Sequence, residues 1–553
     1  MAVDYIEING VEARHVSPAT LLEKIQGRDE IVILDLRDAI SFAHAHVLYA
    51  VSLPLTQIEL QIKSKVPSFN TLIVLTDDDG SLVPRAASLL ARIGYRNLAV
   101  LQGGNQGWRQ AGYEVFSGEN VPSKAFGEVV EIQAATPHIS AYELRERLAK
   151  GEDLIVVDGR TPEEFYNFSI PGAHSVPNAE LAYRIRELAP DPKTLVVVNC
   201  AGRTRSIIGA QTLIDAGVPN PVVSLQDGTM AWLMAGFELD HGRRPSLPEP
   251  SAQNLAQARK NASQLLKRTG VEVIDEQKLD LLRNDSDRNT YLLDIRTREE
   301  YVAGHLPGWR WAAGGQVIQA TDEYIPVLHS RVVIADWDGV RAATVAAWLV
   351  QLGQHEVYVY RPENVVQLET GIPARLVLRD PLSPASSWID RDSLVRLQQE
   401  NRAFVVDVDS VRVYAKQHIT GASFAVAERI DPELLVQVSA SRSLVLTSTD
   451  GILADAVVRS LKQKGIVAFA LLGGNAGWFE AGLPTETGLS RSITPGAEHG
   501  LGAYDFSDKA IRHRKFKEYL DWEVGLVQQL SKPGAWTPYR VLGTALEPVV
   551  HGT

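Results

Sequence analysis

The sequence predicts an α/β protein of four tandem domains, each a mainly parallel sheet with helices on both faces, followed by a helical C-terminal tail. Three observations predict this architecture. A chain of 553 residues is too long for a single hydrophobic core. One order of strand and helix patterns recurs four times along it. The strands are runs of Val, Ile and Leu without polar alternation, which is typical of parallel strands buried on both faces.

Each repeat begins with an apolar strand that ends in aspartate, as in "LIVVDGRT" at 154–161. The four aspartates, spaced at domain-sized intervals, are Asp35, Asp158, Asp294 and Asp407. The second buried strands, each followed by an apolar-periodic helix, are predicted at 71–76, 194–199, 331–336 and 443–448. Three repeats close with a Gly/Trp phrase, at 101–108, 225–232 and 471–478. This shared order predicts four copies of one domain.

The predicted domains cover residues 1–127, 128–245, 246–378 and 379–490, and the tail covers 491–553. Pro-rich stretches at 243–250 and 380–384 are the predicted linkers, because proline neither continues a helix nor donates to a β-ladder. Within the tail, 508–530 has the pattern of one amphipathic helix, whose basic run we interpret as a solvated face.

Composition and charge restrict the classes of function. With 45% hydrophobic and 22% charged residues, the chain has the composition of an ordinary globular protein. A net charge of −12 argues against general nucleic-acid binding. The lack of an 18-residue apolar run predicts no membrane span, and an N-terminus without a signal-peptide pattern predicts a cytoplasmic protein. A single cysteine excludes an internal disulfide and a Cys-rich zinc site.

That single cysteine, Cys200, lies between a predicted strand and a predicted helix in "VVNCAGRTRSIIGAQ". The backbone N–H groups of residues 201–205 can converge on its sulfur, as they do on an anion at a helix N-terminus. Together with Arg203 and Arg205, they are expected to lower the thiol pKa below its usual value of ~8.5 and make thiolate the resting form. Because its neighbours are polar and cationic, we interpret Cys200 as a nucleophile rather than a core residue.

The order of these motifs resembles the rhodanese (sulfurtransferase) domain, over nearly all of residues 1–490. The motifs are Asp-x-Arg, an Ile-Pro-Gly-Ala phrase, a strand followed by the cysteine loop and a helix, and the Gly/Trp phrase. The chain is most similar to multidomain rhodaneses of the thiosulfate sulfurtransferase type. The resemblance implies a double displacement: the Cys200 thiolate takes the outer sulfur of thiosulfate, sulfite leaves, and cyanide or a thiol removes the sulfur from the resulting persulfide. It implies no metal and no organic cofactor.

The candidate site residues follow from the loop and the resemblance. Cys200 is the candidate nucleophile. The candidate substrate-binding residues are Ala201, Gly202, Arg203, Thr204, Arg205 and Arg184. Arg203 and Arg205 are the candidates for binding the sulfonate end of the donor, unless one of them braces the loop from outside. Asp158, Arg160 and Glu164 are expected to be structural, with Arg160 and Glu164 forming a local ion pair because they lie four residues apart.

The corresponding loops of the other repeats carry no cysteine. Aligned by their distance to the glycine that ends the following helix, Asp77, Asp336 and Ser448 stand opposite Cys200. A carboxylate or a hydroxyl cannot carry sulfane sulfur, so only the second domain is expected to be active. The third loop keeps Arg341 at the arginine position but places Asp336 and Asp338 near it, which favours internal pairing over anion capture.

Other functions of the same fold stay open at this point. Cys200 to Arg205 is C-x4-R, one residue shorter than the C-x5-R loop of cysteine phosphatases, whose arginine would fall at Ser206. The short loop favours sulfur over phosphoryl chemistry. The alternatives are a small-oxyanion reductase or phosphatase, and a sulfur carrier or sensor. The expected partners are a thiosulfate-like donor and a thiol or cyanide acceptor, and a protein or a second copy of the chain could dock on the domains without cysteine.

Overall fold

Each of the four predicted repeats forms a sheet of its own in the computed structural model, which describes residues 5–8, 10–362, 367–373, 384–440 and 442–543. The strand orders are β1-β2-β6-β5-β3-β4, β7-β11-β10-β8-β9, β12-β16-β15-β13-β14 and β17-β22-β21-β18-β20, with strands numbered along the chain. Within these sheets the described pairs are parallel, apart from β1 with β2. The predicted fold class is therefore confirmed.

The first repeat has six strands and five helices in its described part. Its strands are β1 Tyr5–Ile8, β2 Val11–Val16, β3 Ile31–Asp35, β4 Ala50–Ser52, β5 Leu72–Thr76 and β6 Leu98–Leu101. Its helices are α1 Pro18–Gln26, α2 Ala39–His44, α3 Ile58–Lys65, α4 Val83–Ile93 and α5 Gly104–Gln110. A further helix, α6 Val121–Ala134, runs across the boundary predicted between residues 127 and 128. That boundary falls inside a helix, and α6 packs against later parts of the chain, namely the second repeat, the third repeat and the C-terminal tail.

The second repeat contains the cysteine. Its strands are β7 His138–Ile139, β8 Leu154–Asp158, β9 His174–Ser175, β10 Leu195–Asn199 and β11 Val222–Leu225. Its helices are α7 Ala141–Lys150, α8 Pro162–Asn167, α9 Leu181–Leu188, α10 Thr204–Asp215 and α11 Gly228–Met234. The central strand β10 pairs with β8 in parallel register, Asn199 opposite Asp158. Cys200 and the Asp-x-Arg motif therefore share the carboxyl edge of the sheet, where sites of open α/β sheets lie.

The third repeat begins with an additional helix, α12 Ala252–Thr269, after the Pro-rich stretch at 243–250. Its strands are β12 Glu272–Ile274, β13 Thr290–Asp294, β14 Arg310–Trp311, β15 Arg331–Ala335 and β16 Glu356–Tyr360. Its helices are α13 Glu276–Asn284, α14 Arg298–Ala303, α15 Gly314–Gln319, α16 Thr321–Tyr324 and α17 Arg341–Leu352. The boundary predicted at residues 378 and 379, and most of the predicted linker 380–384, lie outside the described residues.

The fourth repeat precedes a long C-terminal helix. Its strands are β17 Trp388–Ile389, β18 Ala403–Asp407, β19 His418–Ile419, β20 Ser423–Phe424, β21 Ser443–Thr447, β22 Phe469–Leu471 and β23 Thr485–Glu486. Its helices are α18 Arg391–Gln399, α19 Val411–Lys416, α20 Pro432–Ser439, α21 Ile452–Gln463 and α22 Gly474–Glu480. The tail helix α23 spans Lys509–Leu530, close to the predicted 508–530. Among the described residues, no helix has the length and apolar character needed to cross a bilayer.

Helix α10, which begins in the cysteine loop, is buried on every side. Residues 204–213 are all buried, and α10 packs against α6, α9 and α15. Its Ile207 and Ile208 belong to an apolar core that also holds side chains of the first and third repeats and of the tail, including Leu526 and Leu530. A helix without a solvent-exposed face over residues 204–213 is stable only in such surroundings. The base of the cysteine loop is therefore fixed by several repeats together.

Candidate active site

The backbone around Cys200 forms a cradle of unused donors. Strand β10 ends at Asn199 and α10 begins at Thr204, so the chain turns within residues 200–205, the Cys200 loop. Among the described residues, the N–H groups of 201–205 have no hydrogen-bond acceptor. Successive free N–H groups at the start of a buried helix attract an anion. The Cys200 loop is therefore built to hold negative charge next to the sulfur.

Two of the loops without cysteine fill the same cradle with a carboxylate of their own. Asp77 accepts hydrogen bonds from the N–H groups of Asp79 (3.0 Å), Leu82 (2.6 Å) and Gly80. Asp336 accepts from Gly339 and Ala342, both at 2.7 Å. Both aspartates directly follow the central strand of their sheet, as Cys200 does. The predicted correspondence of these positions to Cys200 is confirmed.

The third loop is closed further by a second carboxylate. Asp338 accepts from the N–H groups of Val340 (2.8 Å) and Arg341 (3.0 Å), and the Arg341 side chain donates to it at 2.6 Å. Arg341 is therefore ion-paired with Asp338 of the same loop. This confirms the predicted internal pairing of Arg341 with Asp338.

Arg205 lies beside Cys200 and is paired with a carboxylate from α8. Its two terminal nitrogens donate to the two oxygens of Glu164, each at 2.7 Å. Burial opposes ionisation of Glu164, but the Arg205 charge outweighs it and holds the pKa of Glu164 at about 2. The prediction that Glu164 pairs with Arg160 is wrong, because the loop brings Arg205 to Glu164 from 41 residues away.

Arg160 is instead held by its own motif. Its guanidinium donates to both oxygens of Asp158, at 2.9 and 2.8 Å, and to the carbonyl of Phe168 at 2.6 Å. Arg160 and Asp158 are completely buried. The same contacts recur for Arg296 with Asp294. These pairs tie the end of β8 or β13 to the segment that follows α8 or α14, which is a structural role.

Arg203 points away from the sulfur. Its guanidinium donates to Glu128 twice at 2.8 Å, to Asp227 at 2.8 Å and to Glu131. Three carboxylates therefore neutralise it, and two of them come from α6. The sequence left two roles open for Arg203, binding the sulfonate of the donor or bracing the loop from outside. Its contacts are those of a brace outside the loop. They do not place Arg203 to bind the sulfonate of a donor.

Arg184 is not brought to the Cys200 loop. Its guanidinium donates to Glu180 (2.6 Å), Glu249 (3.1 Å) and the carbonyl of Pro248 (2.7 Å). Glu180 also binds Arg341 of the third repeat at 2.9 Å. The suggestion that Arg184 binds substrate is therefore corrected: it joins the second repeat to the linker and to the third repeat.

The Gly/Trp phrase supports the Cys200 loop from behind. The N–H groups of Thr229 and Met230 donate to the carbonyls of Cys200 (2.9 Å) and Ala201 (3.0 Å). Gly228 has φ +53°, and a Cβ there would lie 2.4 Å from the Cys200 carbonyl oxygen. With the carbonyls bound behind the loop, its N–H groups are left free. The recurrence of this phrase was visible in the sequence, but its role was not.

The C-terminal tail covers the Cys200 loop, which the sequence did not predict. Tyr504 donates its hydroxyl to the carbonyl of Ala201 at 2.9 Å. Thr204 donates its hydroxyl to Glu523 of α23 at 3.1 Å. A Cβ on Gly202 would lie 3.2 Å from the Tyr519 ring. The basic run of α23 is largely solvated as predicted, because Lys509, Arg514 and Lys517 are exposed, while the opposite face closes the site.

Closure by the tail changes the acidity of the thiol. Cys200 is only 2% exposed. Burial raises the pKa of the Cys200 thiol, Arg205 and Ser206 oppose this, and Glu523 adds to it. The predicted lowering of this pKa is therefore wrong for the closed site, because the burial of the sulfur depends on the tail and leaves no local sequence pattern. The closed arrangement favours the protonated thiol.

The Glu164–Arg205 pair gives a pH-dependent contribution to stability. The folded-state pKa of Glu164 lies below its ordinary value of 4.5, so the contribution is present above pH ~4.5 and is lost as the pH falls toward ~2. The Glu164 side chain is 35% exposed. After allowance for solvent screening, we expect Glu164→Gln to lower the free energy of unfolding by about 1–2 kcal/mol at pH 7.

Thermal melts of Glu164→Gln and the unaltered chain between pH 7 and pH 3 check this prediction. The difference between their melting temperatures should shrink as the pH falls. Glu163→Gln is the matched control, because Glu163 is the exposed neighbour on the same helix, and it should change little at any pH. A difference that stays constant down to pH 3 would contradict the assigned charge pair.

Comparisons with known proteins show the family and the fold to which the chain is similar. Three segments match the family described as rhodanese-like domain, at residues 17–111, 140–235 and 277–362. A solved structure of thiosulfate sulfurtransferase from Pseudomonas aeruginosa is 40% identical, covers 96% of this chain and 99% of its own, and has a TM-score of 0.87. The similarity to that protein therefore extends over all four repeats rather than over one domain.

Two curated relatives match single regions. A sulfurtransferase of Allochromatium vinosum is 33% identical over 101 residues, which are 18% of this chain and 92% of that protein. The HTH-type transcriptional regulator Rv0324 of Mycobacterium tuberculosis is 31% identical over 129 residues, 23% of this chain. The match spans only 56% of the regulator's length.

Proposed function

The chain belongs to the rhodanese-like domain family, and from that premise we propose that it is a sulfurtransferase that moves sulfane sulfur through a persulfide on Cys200. The donor is thiosulfate or a related anion, and the acceptor is cyanide or a thiol. One observation carries the proposal. In the described part of the chain, the Cys200 loop combines a cysteine with five N–H groups that lack an acceptor, whereas Asp77 and Asp336 occupy their own loops with a carboxylate.

The proposed transfer has two displacements. The thiolate of Cys200 forms a bond to the outer sulfur of the donor while the donor's S–S bond breaks, and that electron pair leaves on sulfite. The N–H groups of 201–205 stabilise the charge on the terminal sulfur. Cyanide then attacks this sulfur, thiocyanate leaves, and the Cys200 thiolate is regenerated. Arg205 is the cation nearest to this chemistry, since Arg203 is fully engaged outside the loop.

The Cys200 thiol is buried, so the reaction first requires access of the donor to the sulfur. Tyr504 and Tyr519 of the tail lie against the Cys200 loop. A donor therefore needs a displacement of these side chains before it reaches the sulfur. We expect the rate of alkylation of Cys200 by iodoacetamide to be limited by this opening as well as by thiol ionisation.

Incubation with thiosulfate and cyanide tests the proposal directly. Steady production of thiocyanate is the expected result. The burial of Cys200 favours one second candidate, a sulfur carrier, because a sealed persulfide is protected from small acceptors. A carrier would take up sulfur once and release no thiocyanate over many equivalents of donor, so the time course separates the two functions.

The short loop predicts little phosphatase activity. Cys200 and Arg205 enclose one residue fewer than a phosphoryl-binding loop, and Arg205 is bound to Glu164 rather than free for phosphate oxygens. We expect hydrolysis of an aryl phosphate at or near background under conditions of steady thiosulfate turnover. Comparable rates for the two substrates, measured on one preparation, would contradict the argument from loop size.

A further inference from the structure

Glu523 of α23 is a buried carboxyl group at the Cys200 loop that the proposed transfer does not yet use. It is 1% exposed. Its Oε1 accepts hydrogen bonds from the hydroxyls of Thr204 (3.1 Å) and Tyr519 (2.9 Å). Its Oε2 is buried and has no hydrogen-bond partner among the described residues. A Cβ on Gly202 would lie 3.4 Å from Oε2, so this free oxygen lies against the backbone of the Cys200 loop.

The charged groups around Glu523 leave it without a direct ion pair. In the described part of the chain, no basic side chain lies within 4.0 Å of its carboxyl oxygens. Lys124 of α6 faces it more distantly, with its ammonium 4.8 Å from the Trp522 ring centroid. Arg203 is neutralised by α6 and Asp227, and Arg205 by Glu164. Glu128 of α6 adds negative charge from the same side.

Glu523 and Cys200 are therefore two acidic groups in one sealed site. Burial raises the pKa of Glu523, and Lys124 and the two hydroxyl donors oppose it. Its charge in turn raises the pKa of the Cys200 thiol. The charge on one of these groups opposes ionisation of the other. The site is thus suited to keep one proton and to pass it between the two groups.

We propose that Glu523 exchanges a proton with the Cys200 site during sulfur transfer, an assignment that rests on the function proposed above. In the loading step the Oε2 carboxylate takes the proton from the Cys200 sulfur. The thiolate forms the S–S bond, and the donor's S–S bond breaks with its electron pair on sulfite. The carboxylic acid then returns the proton to a sulfite oxygen, so hydrogensulfite leaves and the carboxylate is restored.

The geometry supports this role for Oε2. Thr204 begins α10 and Tyr519 lies one turn before Glu523 on α23, so both hydroxyls fix Oε1 from rigid elements. Oε2 is then turned toward the Cys200 loop and has no hydrogen-bond partner among the residues that the structure describes. If Glu523 served only to join α23 to α10, the hydrogen bond that its Oε1 accepts from Thr204 would be sufficient.

The test compares Glu523→Gln with the unaltered chain and with Glu518→Gln. Glu518 lies on the same helix, is about half exposed and pairs with Lys515 at 2.8 Å, so its replacement controls for changes in α23. Two pH profiles are measured, the rate of Cys200 alkylation by iodoacetamide and the single-turnover release of sulfite from thiosulfate. Circular dichroism and melting temperature verify folding of each variant.

We expect Glu523→Gln to lower the alkylation midpoint by about one pH unit, because a negative charge beside the thiol is removed. Sulfite release should slow by about 10²-fold or more, as for loss of a general acid–base group. Glu518→Gln should match the unaltered chain. Should Glu523→Gln not fold, Glu523→Asp carries the test, because it keeps a titrating group and should shift the midpoint without abolishing the pH dependence.

Unchanged pH profiles in a folded Glu523 variant would overturn the assignment, since a structural tie would alter only the melting temperature. The proposed function fails in a different way, through the absence of sulfite release from the unaltered chain. The alkylation profile needs no sulfur donor, so it tests the charge of Glu523 beside the thiol in either case, and sulfite release tests the proton exchange.

Discussion

Replacement of Cys200 by serine is expected to abolish thiocyanate production, with a loss of more than about 10⁴-fold, while the chain stays folded. A serine hydroxyl is protonated at neutral pH and cannot form a persulfide. The other three loops offer no substitute nucleophile, because their corresponding residues are Asp77, Asp336 and Ser448. The serine side chain differs from that of cysteine only in having oxygen in place of sulfur, so the loop and α10 should keep their packing.

The rate of thiocyanate formation and the melting temperature of Cys200→Ser check this expectation. A melting temperature close to that of the unaltered chain shows that the loss is chemical. Ser206→Ala is not a suitable control, since the Ser206 hydroxyl binds the Arg203 carbonyl within the loop. Ser448→Ala is suitable, because it changes the equivalent loop of the fourth repeat, and it should leave turnover unchanged. Residual turnover by Cys200→Ser would contradict the single-nucleophile account.

Replacement of Arg205 by leucine is expected to have the second-largest effect, a loss of thiosulfate turnover of about 10²–10³-fold. Arg205 opposes the effect of burial on the Cys200 thiol, so its removal should raise the thiol pKa further. It also leaves Glu164 partly buried without its partner. We therefore expect a loss of stability as well, of about 1–3 kcal/mol.

A double variant separates these two effects. Adding Glu164→Gln to Arg205→Leu removes the unpaired carboxylate and should recover part of the stability, but it cannot restore the cation beside the sulfur. The measurements are chemical denaturation for stability, and turnover with the pH profile of alkylation for reactivity. If Arg205→Leu leaves the alkylation profile and the thiosulfate kinetics unchanged, Arg205 has no part in the reaction.

The parts of this protein that the sequence predicted are those that depend on local pattern. The strands at 194–199 and 331–336, and the loops that follow them, were found because buried parallel strands and helix starts leave a signal within about ten residues. The role of Cys200 as the nucleophile is inferred from the same local pattern and stays a prediction. The pairing of Arg341 with Asp338 was correctly predicted, since the two residues lie three positions apart in one loop.

The parts that the sequence missed depend on contacts between distant segments. The Arg203 side chain binds Glu128, which lies 75 residues earlier in the chain, and the Thr204 hydroxyl binds Glu523, which lies 319 residues later. No periodicity links such positions. The docking of the tail on the Cys200 loop was not predicted, and this explains why the shift of the Cys200 pKa was predicted in the wrong direction. Charges near a thiol can be read from a sequence, whereas its burial under Tyr504 and Tyr519 depends on where a separate helix docks.

The central claim is that this chain carries transferable sulfur on Cys200. Mass spectrometry of the intact chain after incubation with thiosulfate, followed by peptide mapping and treatment with cyanide, tests it most directly. The account predicts a gain of one sulfur atom per chain, located on the peptide that contains Cys200 and removed by cyanide. No gain in mass, or sulfur bound to any other peptide, would contradict it.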